Sequence, residues 1–95
     1  MTRKYEMVYI LNPTLGEEEL TAANERVAAI VNANGSVESV ESWGRKRLAY
    51  EINDLREGIY HVMLFNSDAE GPKEIDRLMR INDNLLRYLI VREEK

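Results

Sequence analysis

Residues 5–11 read Tyr-Glu-Met-Val-Tyr-Ile-Leu and are followed directly by Asn12-Pro13. β-Branched and aromatic residues dominate this stretch, and the Asn-Pro pair is typical of a turn, so the stretch predicts a strand. Beyond Glu6 both alternating sets of side chains are apolar, which is typical of a strand in the middle of a sheet. Residues 59–65 have the same character and predict a second central strand.

Two helices are predicted between the strands. Apolar residues recur at helical spacing over residues 20–31, and the preceding Thr14–Glu17 segment fits a capping box. We expect Gly35 to end this helix in the left-handed conformation. A shorter helix is predicted over an apolar stripe at residues 75–79, and Pro72 suits its first turn.

Residues 36–52 and 85–91 are the remaining predicted strands, and a slip in the alternation at Trp43-Gly44 indicates a bulge. The element order is β-α-β-β-α-β in a single domain over residues 1–95. This order predicts an α+β, ferredoxin-like sandwich, in which a four-stranded antiparallel sheet carries both helices on one face. The usual strand order 4-1-3-2 places strands one and three in the middle.

The composition excludes several classes of function. The chain has no Cys and a single His, so we expect no disulfide and no metal site. His61 lies among apolar strand residues, where a core position is the favoured interpretation. Without a catalytic set or a Gly-rich phosphate loop, we expect neither an enzyme nor a cofactor. The sequence shows no signal-peptide pattern and no apolar run near the ~20 residues of a membrane span, so we expect a mature cytoplasmic protein with no membrane partner.

The net charge of −4 argues against a nucleic-acid partner, since such proteins are usually basic. However, residues 1–42 hold 3 basic and 7 acidic side chains, whereas residues 43–95 hold 10 of each. Antiparallel pairing of strands one and four would place Arg92 near Arg3, with Arg80 and Arg87 at the other end. This basic edge would suit phosphate contacts, and Tyr5 and Tyr88 nearby could stack on bases or simply pack. The alternative is solvated charge that deters aggregation of an edge strand.

One face of the predicted sheet has no helix over it. Strands one and four carry two apolar sets of opposite parity, and one of them must face away from the helices. An uncovered apolar patch usually indicates a partner, although scattered surface residues or a covering loop are alternatives. One set is Val8, Ile10, Leu89 and Val91, and the other is Met7, Tyr9, Tyr88 and Ile90.

Residues 44–53 read Gly-Arg-Lys-Arg-Leu-Ala-Tyr-Glu-Ile-Asn, and this pattern resembles the signature of the bacterial small-subunit ribosomal protein six family. Residues 5–13, 58–60 and 80–92 also resemble that family at the expected separations, so the resemblance covers essentially the whole chain. The matching signature residues are Gly44, Lys46, Arg47, Leu48, Ala49, Tyr50 and Ile52.

The resemblance implies a non-catalytic constituent of the small ribosomal subunit, located on the cytoplasmic ribosome. It further implies binding to the central domain of 16S ribosomal RNA as a pair with ribosomal protein eighteen, and a monomer when isolated. A net acidic chain suits a basic partner protein. The RNA-contacting residues carried over by position are Arg3, Lys4, Tyr5, Arg80, Arg87 and Arg92. The uncovered sheet face and the strand edges would be the docking surface for the partner protein, with Val8, Ile10, Leu89 and Val91 as its candidate residues.

Other signature residues have different expected roles. Gly44 is expected to form a bend, and Leu48 and Tyr50 to be packed side chains, whereas the role of Arg45-Lys46-Arg47 stays open. Some family members carry an acidic tail that receives added glutamates; here residues 92–95 read Arg-Glu-Glu-Lys, so we do not expect that modification. The alternative function is a small regulatory or ligand-binding domain of the same fold that dimerises through its uncovered sheet face.

Overall fold

The computed structural model describes residues 2–52, 54–82 and 84–93. The element order is β-α-β-β-α-β, as the sequence predicts. No helix in the described chain is long and apolar enough to cross a membrane. The strands are β1 (Arg3–Leu11), β2 (Ser36–Ile52), β3 (Leu55–Ser67) and β4 (Leu85–Arg92), and the helices are α1 (Glu17–Asn34) and α2 (Gly71–Met79).

The strands form one antiparallel sheet in the order β2-β3-β1-β4. This order confirms that the two strands with apolar residues on both faces, β1 and β3, are central. Met7 of β1 lies opposite Met63 of β3 and opposite Ile90 of β4. Because the register fixes the alternation, Val8 and Leu89 share the face opposite to Met7.

The core lies between the sheet and the two helices. Each fully buried apolar side chain contributes roughly 1.5–3 kcal/mol to stability, so this one-sided core is the main stabilising element. The set that contains Met7 and Tyr9 therefore faces the helices, and the set that contains Val8 and Leu89 faces away. The core residues are Tyr5, Met7, Tyr9, Leu11, Ala23, Val27, Val31, Met63, Phe65, Ile75 and Met79.

The start of α1 differs from the predicted capping box. The N-cap is Gly16, and the carboxylate of Glu19 accepts a hydrogen bond from its backbone N–H at 3.2 Å. Thr14 does not cap the helix, because its N–H and hydroxyl both donate to the side-chain oxygen of Asn12 at 2.9 and 2.7 Å. This local turn uses the Thr14 hydroxyl and moves the helix start two residues along the chain.

Two glycines determine the path of β2: Gly35 immediately precedes the strand, and Gly44 lies within it. Gly35 is extended, with φ 179°, so the predicted left-handed helix end is wrong. A Cβ at this position would lie 2.3 Å from the carbonyl oxygen of Asn66, so close packing against β3 is what Gly35 permits. Gly44 has φ +77° beside a register shift between Ser42 and Gly44, which confirms the predicted bulge and bend.

The far end of the β2–β3 hairpin bends over the sheet face that the helices leave uncovered. We call residues 46–52 and 55–58 the hairpin arm. Leu48 is only 8% exposed, and its side chain meets that of Ile10 above Gly58. A Cβ on Gly58 would lie 2.2 Å from Cγ2 of Ile10, so this close approach needs glycine. The arm thereby covers one end of the uncovered face.

Candidate functional site

The sheet face opposite the helices, which we call the open face, carries an exposed apolar patch. Leu89 is 61% exposed and Val91 is 42% exposed, and Val8 lies directly opposite Leu89. A shallow groove of about 500 Å³ runs between Val8, Leu89 and Arg87. Ile10 belongs to the same face but is buried by the hairpin arm. Three of the four residues predicted to dock a partner are therefore accessible, and the fourth lies beneath the arm.

Arg3, Lys4 and Arg92 meet at one end of the sheet. Arg92 pairs with Tyr5 across β1 and β4, and the N–H of Glu93 donates to the carbonyl of Lys4 at 3.0 Å. Lys4 forms an ion pair with Glu38 at 3.4 Å. Within the described residues, no carboxylate lies at ion-pair distance from Arg3 or Arg92. These two guanidinium groups can therefore contact phosphate without first breaking an ion pair to a described residue.

Arg80 and Arg87 lie toward the other end of β4, but they differ in their surroundings. Arg80 follows α2 and forms an ion pair with Asp76 at 2.9 Å. The Tyr88 hydroxyl and the Asp76 carboxylate both raise the pKa of Arg80. Arg87 lies opposite Ile10, and its guanidinium carbon is 5.0 Å from the ring centroid of Tyr50. The predicted basic edge is thus two separate groups of cations.

Two tyrosines near these cations, Tyr5 and Tyr88, make contacts that stabilise the fold. Tyr5 is 7% exposed and stacks on Phe65, with the ring centroids 5.5 Å apart. The Tyr88 hydroxyl donates to a carboxylate oxygen of Asp76 at 2.6 Å, which fixes β4 to α2. The ring of Tyr5 is closed to a stacking base, and Tyr5 instead forms part of a groove between α2 and β4 that Arg92 also lines.

The basic run Arg45-Lys46-Arg47 has structural contacts in its first two members. Arg45 donates to the carbonyl of Pro13 at 3.3 Å and lies 3.6 Å from the Glu57 carboxylate. The Lys46 ammonium lies 5.6 Å from the ring centroid of Trp43. Of the neighbouring signature residues, Leu48 is packed as expected. Tyr50 differs from the expectation, since it is 56% exposed.

A buried polar cluster lies between the sheet and α1, and one of its members was not predicted. His61 is 5% exposed, in agreement with its interpretation as a core residue, and burial lowers its pKa. Asn24 of α1 accepts from the Tyr9 hydroxyl at 2.9 Å, and its amide nitrogen lies 3.3 Å from Nε2 of His61. The sequence does contain a signal for Asn24: this polar residue follows Ala23 on the apolar side of α1, which predicts a buried side chain. In the part of the chain that the structure describes, no cluster of His, Asp or Glu could hold a metal ion.

A comparison with known protein families decides between the possible classes. The family model described as "Ribosomal protein S6" matches residues 4–92, which is nearly the whole chain. The chain belongs to the ribosomal protein S6 family. This match confirms the resemblance that residues 44–53 indicate, and it extends the resemblance to residues 4–92.

Close relatives agree with this S6 assignment. The proteins named "Small ribosomal subunit protein bS6" from Clostridium botulinum and Clostridium acetobutylicum are each 47% identical over 93 residues, which is 97% of this chain. The match covers 99% and 98% of those two proteins, respectively. A crystal structure of 30S ribosomal protein S6 from Thermotoga maritima superposes with a TM-score of 0.91 at 32% identity, covering 98% of this chain and 89% of that one.

Membership of the S6 family settles the coarse function. The chain is a structural, non-enzymatic constituent of the small ribosomal subunit, and its place is the bacterial ribosome in the cytoplasm. The four-stranded antiparallel sheet and the superposition on a solved S6 structure confirm the ferredoxin-like fold. Both surfaces described above can now be considered as surfaces of an S6 protein.

Proposed function

We propose that this S6-family protein binds the central domain of 16S ribosomal RNA together with ribosomal protein eighteen during assembly of the small subunit, and that it is a monomer when isolated. The observation that carries the proposal is the composition of β4. Leu89 and Val91 of this strand face outward on the open face, whereas Arg92 lies beside Arg3 at the strand end. One edge strand thus presents an apolar surface and a cationic end side by side.

The RNA side of the proposed interface consists of the cations at the two ends of β4. Arg groups form bidentate hydrogen bonds to phosphate, and each neutralised phosphate releases counterions. The chain has a net charge of −4, so alone it should bind RNA weakly. A basic partner protein would supply the missing positive field. The proposed RNA-contacting residues are Arg3, Lys4, Arg80, Arg87 and Arg92, with Tyr5 contributing only through the groove it shares with Arg92.

The protein side is the apolar patch of the open face. Leu89 and Val91 are exposed large hydrophobic side chains on neighbouring positions of one face, and Val8 adjoins them. Apolar side chains gathered in this way commonly mark a protein interface. We assign this patch, with Ile10 at its covered end, to ribosomal protein eighteen. The acidic balance of the chain favours that partner, because a basic protein is attracted to it.

Leu89→Asp tests this assignment, and Val40→Asp is the matched control. Val40 is 47% exposed but lies opposite Met63, so it belongs to the helix-facing side of the sheet. In analytical ultracentrifugation, the wild type and Val40→Asp should be monomers alone and should form an equimolar complex with ribosomal protein eighteen. Leu89→Asp should remain a monomer in the mixture, because an unpaired charge would be buried in the interface.

Two results would contradict the proposal. If Leu89→Asp and the wild type form the complex equally well, the assignment of the open face to ribosomal protein eighteen is wrong. A wild-type homodimer that does not respond to ribosomal protein eighteen would favour a regulatory domain that dimerises through this face.

A further inference from the structure

The hairpin arm reaches β4 although the two are far apart in the sheet. β2 and β4 are the two edge strands, and β3 and β1 lie between them. Nevertheless, the guanidinium carbon of Arg87 lies 5.0 Å from the ring centroid of Tyr50, within the range of a cation–π contact. The arm must therefore cross the open face to bring the ring of Tyr50 to Arg87.

The position of Tyr50 is set by Leu48, two residues earlier in the arm. Leu48 is buried against Ile10, and the glycine at position 58 lets them approach. Because alternate residues of an extended strand point the same way, anchoring Leu48 directs Tyr50 toward the same face. Tyr50 itself is 56% exposed, so packing alone does not account for its contact with Arg87.

Arg87 has no competing partner in the described chain. Half of the cations among the described residues form ion pairs, as Arg56 does with Glu51 at 3.2 Å and Arg80 with Asp76 at 2.9 Å. No carboxylate of a described residue lies at ion-pair distance from Arg87. A guanidinium that stacks on an aromatic ring keeps its N–H groups available for hydrogen bonds.

We propose that Tyr50 is a positioning residue for RNA binding, which holds the Arg87 guanidinium on the open face so that its N–H groups are ready to contact a phosphate. This inference rests on the proposed RNA contact of Arg87 and deepens it. Pre-ordering a long side chain lowers the entropy lost on binding, so the benefit appears as affinity. The ring is what matters, since the Tyr50 hydroxyl plays no part in stacking.

The test measures binding of the complex with ribosomal protein eighteen to a central-domain RNA fragment over a range of salt concentrations. Tyr50→Phe should bind like the wild type, because it keeps the ring. Tyr50→Leu should bind about 2- to 5-fold more weakly, the loss that corresponds to an exposed cation–π contact, with an unchanged salt slope. Arg87→Ala should bind more weakly and should lower the slope by about one. Tyr50→Leu should cause no further loss once Arg87 is alanine.

A structural readout accompanies the binding data. In NMR spectra of the free protein, the side-chain protons of Arg87 should be shielded by the ring in the wild type and in Tyr50→Phe. That shielding should disappear in Tyr50→Leu, while the amide signals of the core strands stay in place.

The outcomes separate this inference from the proposed function. If Arg87→Ala weakens binding and Tyr50→Leu does not, the positioning role is wrong and the RNA contact stands. If Tyr50→Leu still weakens binding in the Arg87→Ala background, Tyr50 acts independently of Arg87 and the positioning role is again wrong. If Arg87→Ala has no effect, the RNA contact of Arg87 fails and the inference fails with it.

Discussion

The imidazole of His61 stacks on the phenol ring of Tyr9, with the ring centroids 5.1 Å apart and the planes 7° from parallel. Asn24 connects the two, since its side-chain oxygen accepts from the Tyr9 hydroxyl and its amide nitrogen faces Nε2 of His61. Burial raises the pKa of Tyr9 to about 12 and lowers that of His61. The cluster is therefore uncharged in the folded protein at neutral pH, with Nε2 as a hydrogen-bond acceptor.

The pH dependence of stability follows from His61. Its folded-state pKa lies below its unfolded value, so the unfolded chain binds more protons and stability falls as the pH drops through roughly 6.5. The slope from this single group is at most about 1.4 kcal/mol per pH unit. Urea unfolding at pH 7.5 and 5.5 measures it, and His61→Gln is the control because the chain has no other His. An equal pH dependence in His61→Gln and the wild type would contradict this assignment.

Asn24→Leu should destabilise the protein by about 1–3 kcal/mol. The substitution leaves the Tyr9 hydroxyl and Nε2 of His61 without their partner in a buried site, which incurs a desolvation penalty. Equilibrium urea unfolding gives the free energy directly. Tyr9→Phe in the Asn24→Leu background should recover part of the loss, because it removes one of the unpaired groups. Additive losses for the two substitutions would show that the cluster is not coupled.

Gly58→Ala should destabilise the fold by about 1–3 kcal/mol, the usual cost of forcing an extra carbon into a packed site. The new Cβ would lie 2.2 Å from Cγ2 of Ile10, directly beneath the hairpin arm. Ile10→Ala removes Cγ2, so the losses from Gly58→Ala and Ile10→Ala should be less than additive in the double variant. Thermal unfolding of the two single variants and the double variant measures this coupling. Fully additive losses would mean that crowding between Gly58 and Ile10 under the arm is not the cause.

Arg92→Ala should weaken binding of RNA by the complex with ribosomal protein eighteen and should reduce the salt slope by about one, as expected for one lost phosphate contact. Arg77→Ala removes the same charge from α2, where Arg77 is already paired with Glu74. Its slope should match the wild type. Filter binding or fluorescence anisotropy over a salt series measures both variants. If the salt slopes of Arg92→Ala and the wild type are equal, Arg92 does not contact a phosphate of the RNA.

The strand order of the sheet could be predicted from sequence, because apolar residues on both faces of β1 and β3 indicate that these two strands are central. The bulge at Gly44 was also visible, as a slip in an otherwise regular alternation. The helix start was misplaced because Asn12 competes for the hydroxyl of Thr14, and the sequence pattern does not show which partner wins. Gly35 was misassigned because glycine serves both left-handed turns and close packing, and only the tertiary structure separates the two.

The candidate site was less predictable, because its contacts join residues that are distant in the sequence. The contact between Tyr50 and Arg87 depends on the hairpin arm crossing the open face, and no local periodicity encodes that path. The burial of Tyr5 likewise follows from its pairing with Phe65 on another strand. Proximity of Arg92 to Arg3 could be predicted, since it follows from the strand order alone.

The central position of β1 also affects when this protein can finish folding. β1 hydrogen-bonds to β3 on one side and to β4 on the other, and β4 is the last strand in chain order. During synthesis β1 therefore keeps one edge unpaired until β4 has been made, and such an edge can pair with the wrong strand. Arg92 comes to lie opposite Tyr5, and Leu89 opposite Val8, in this same final step. A chain in which β4 has not yet been made would consequently lack both proposed binding surfaces.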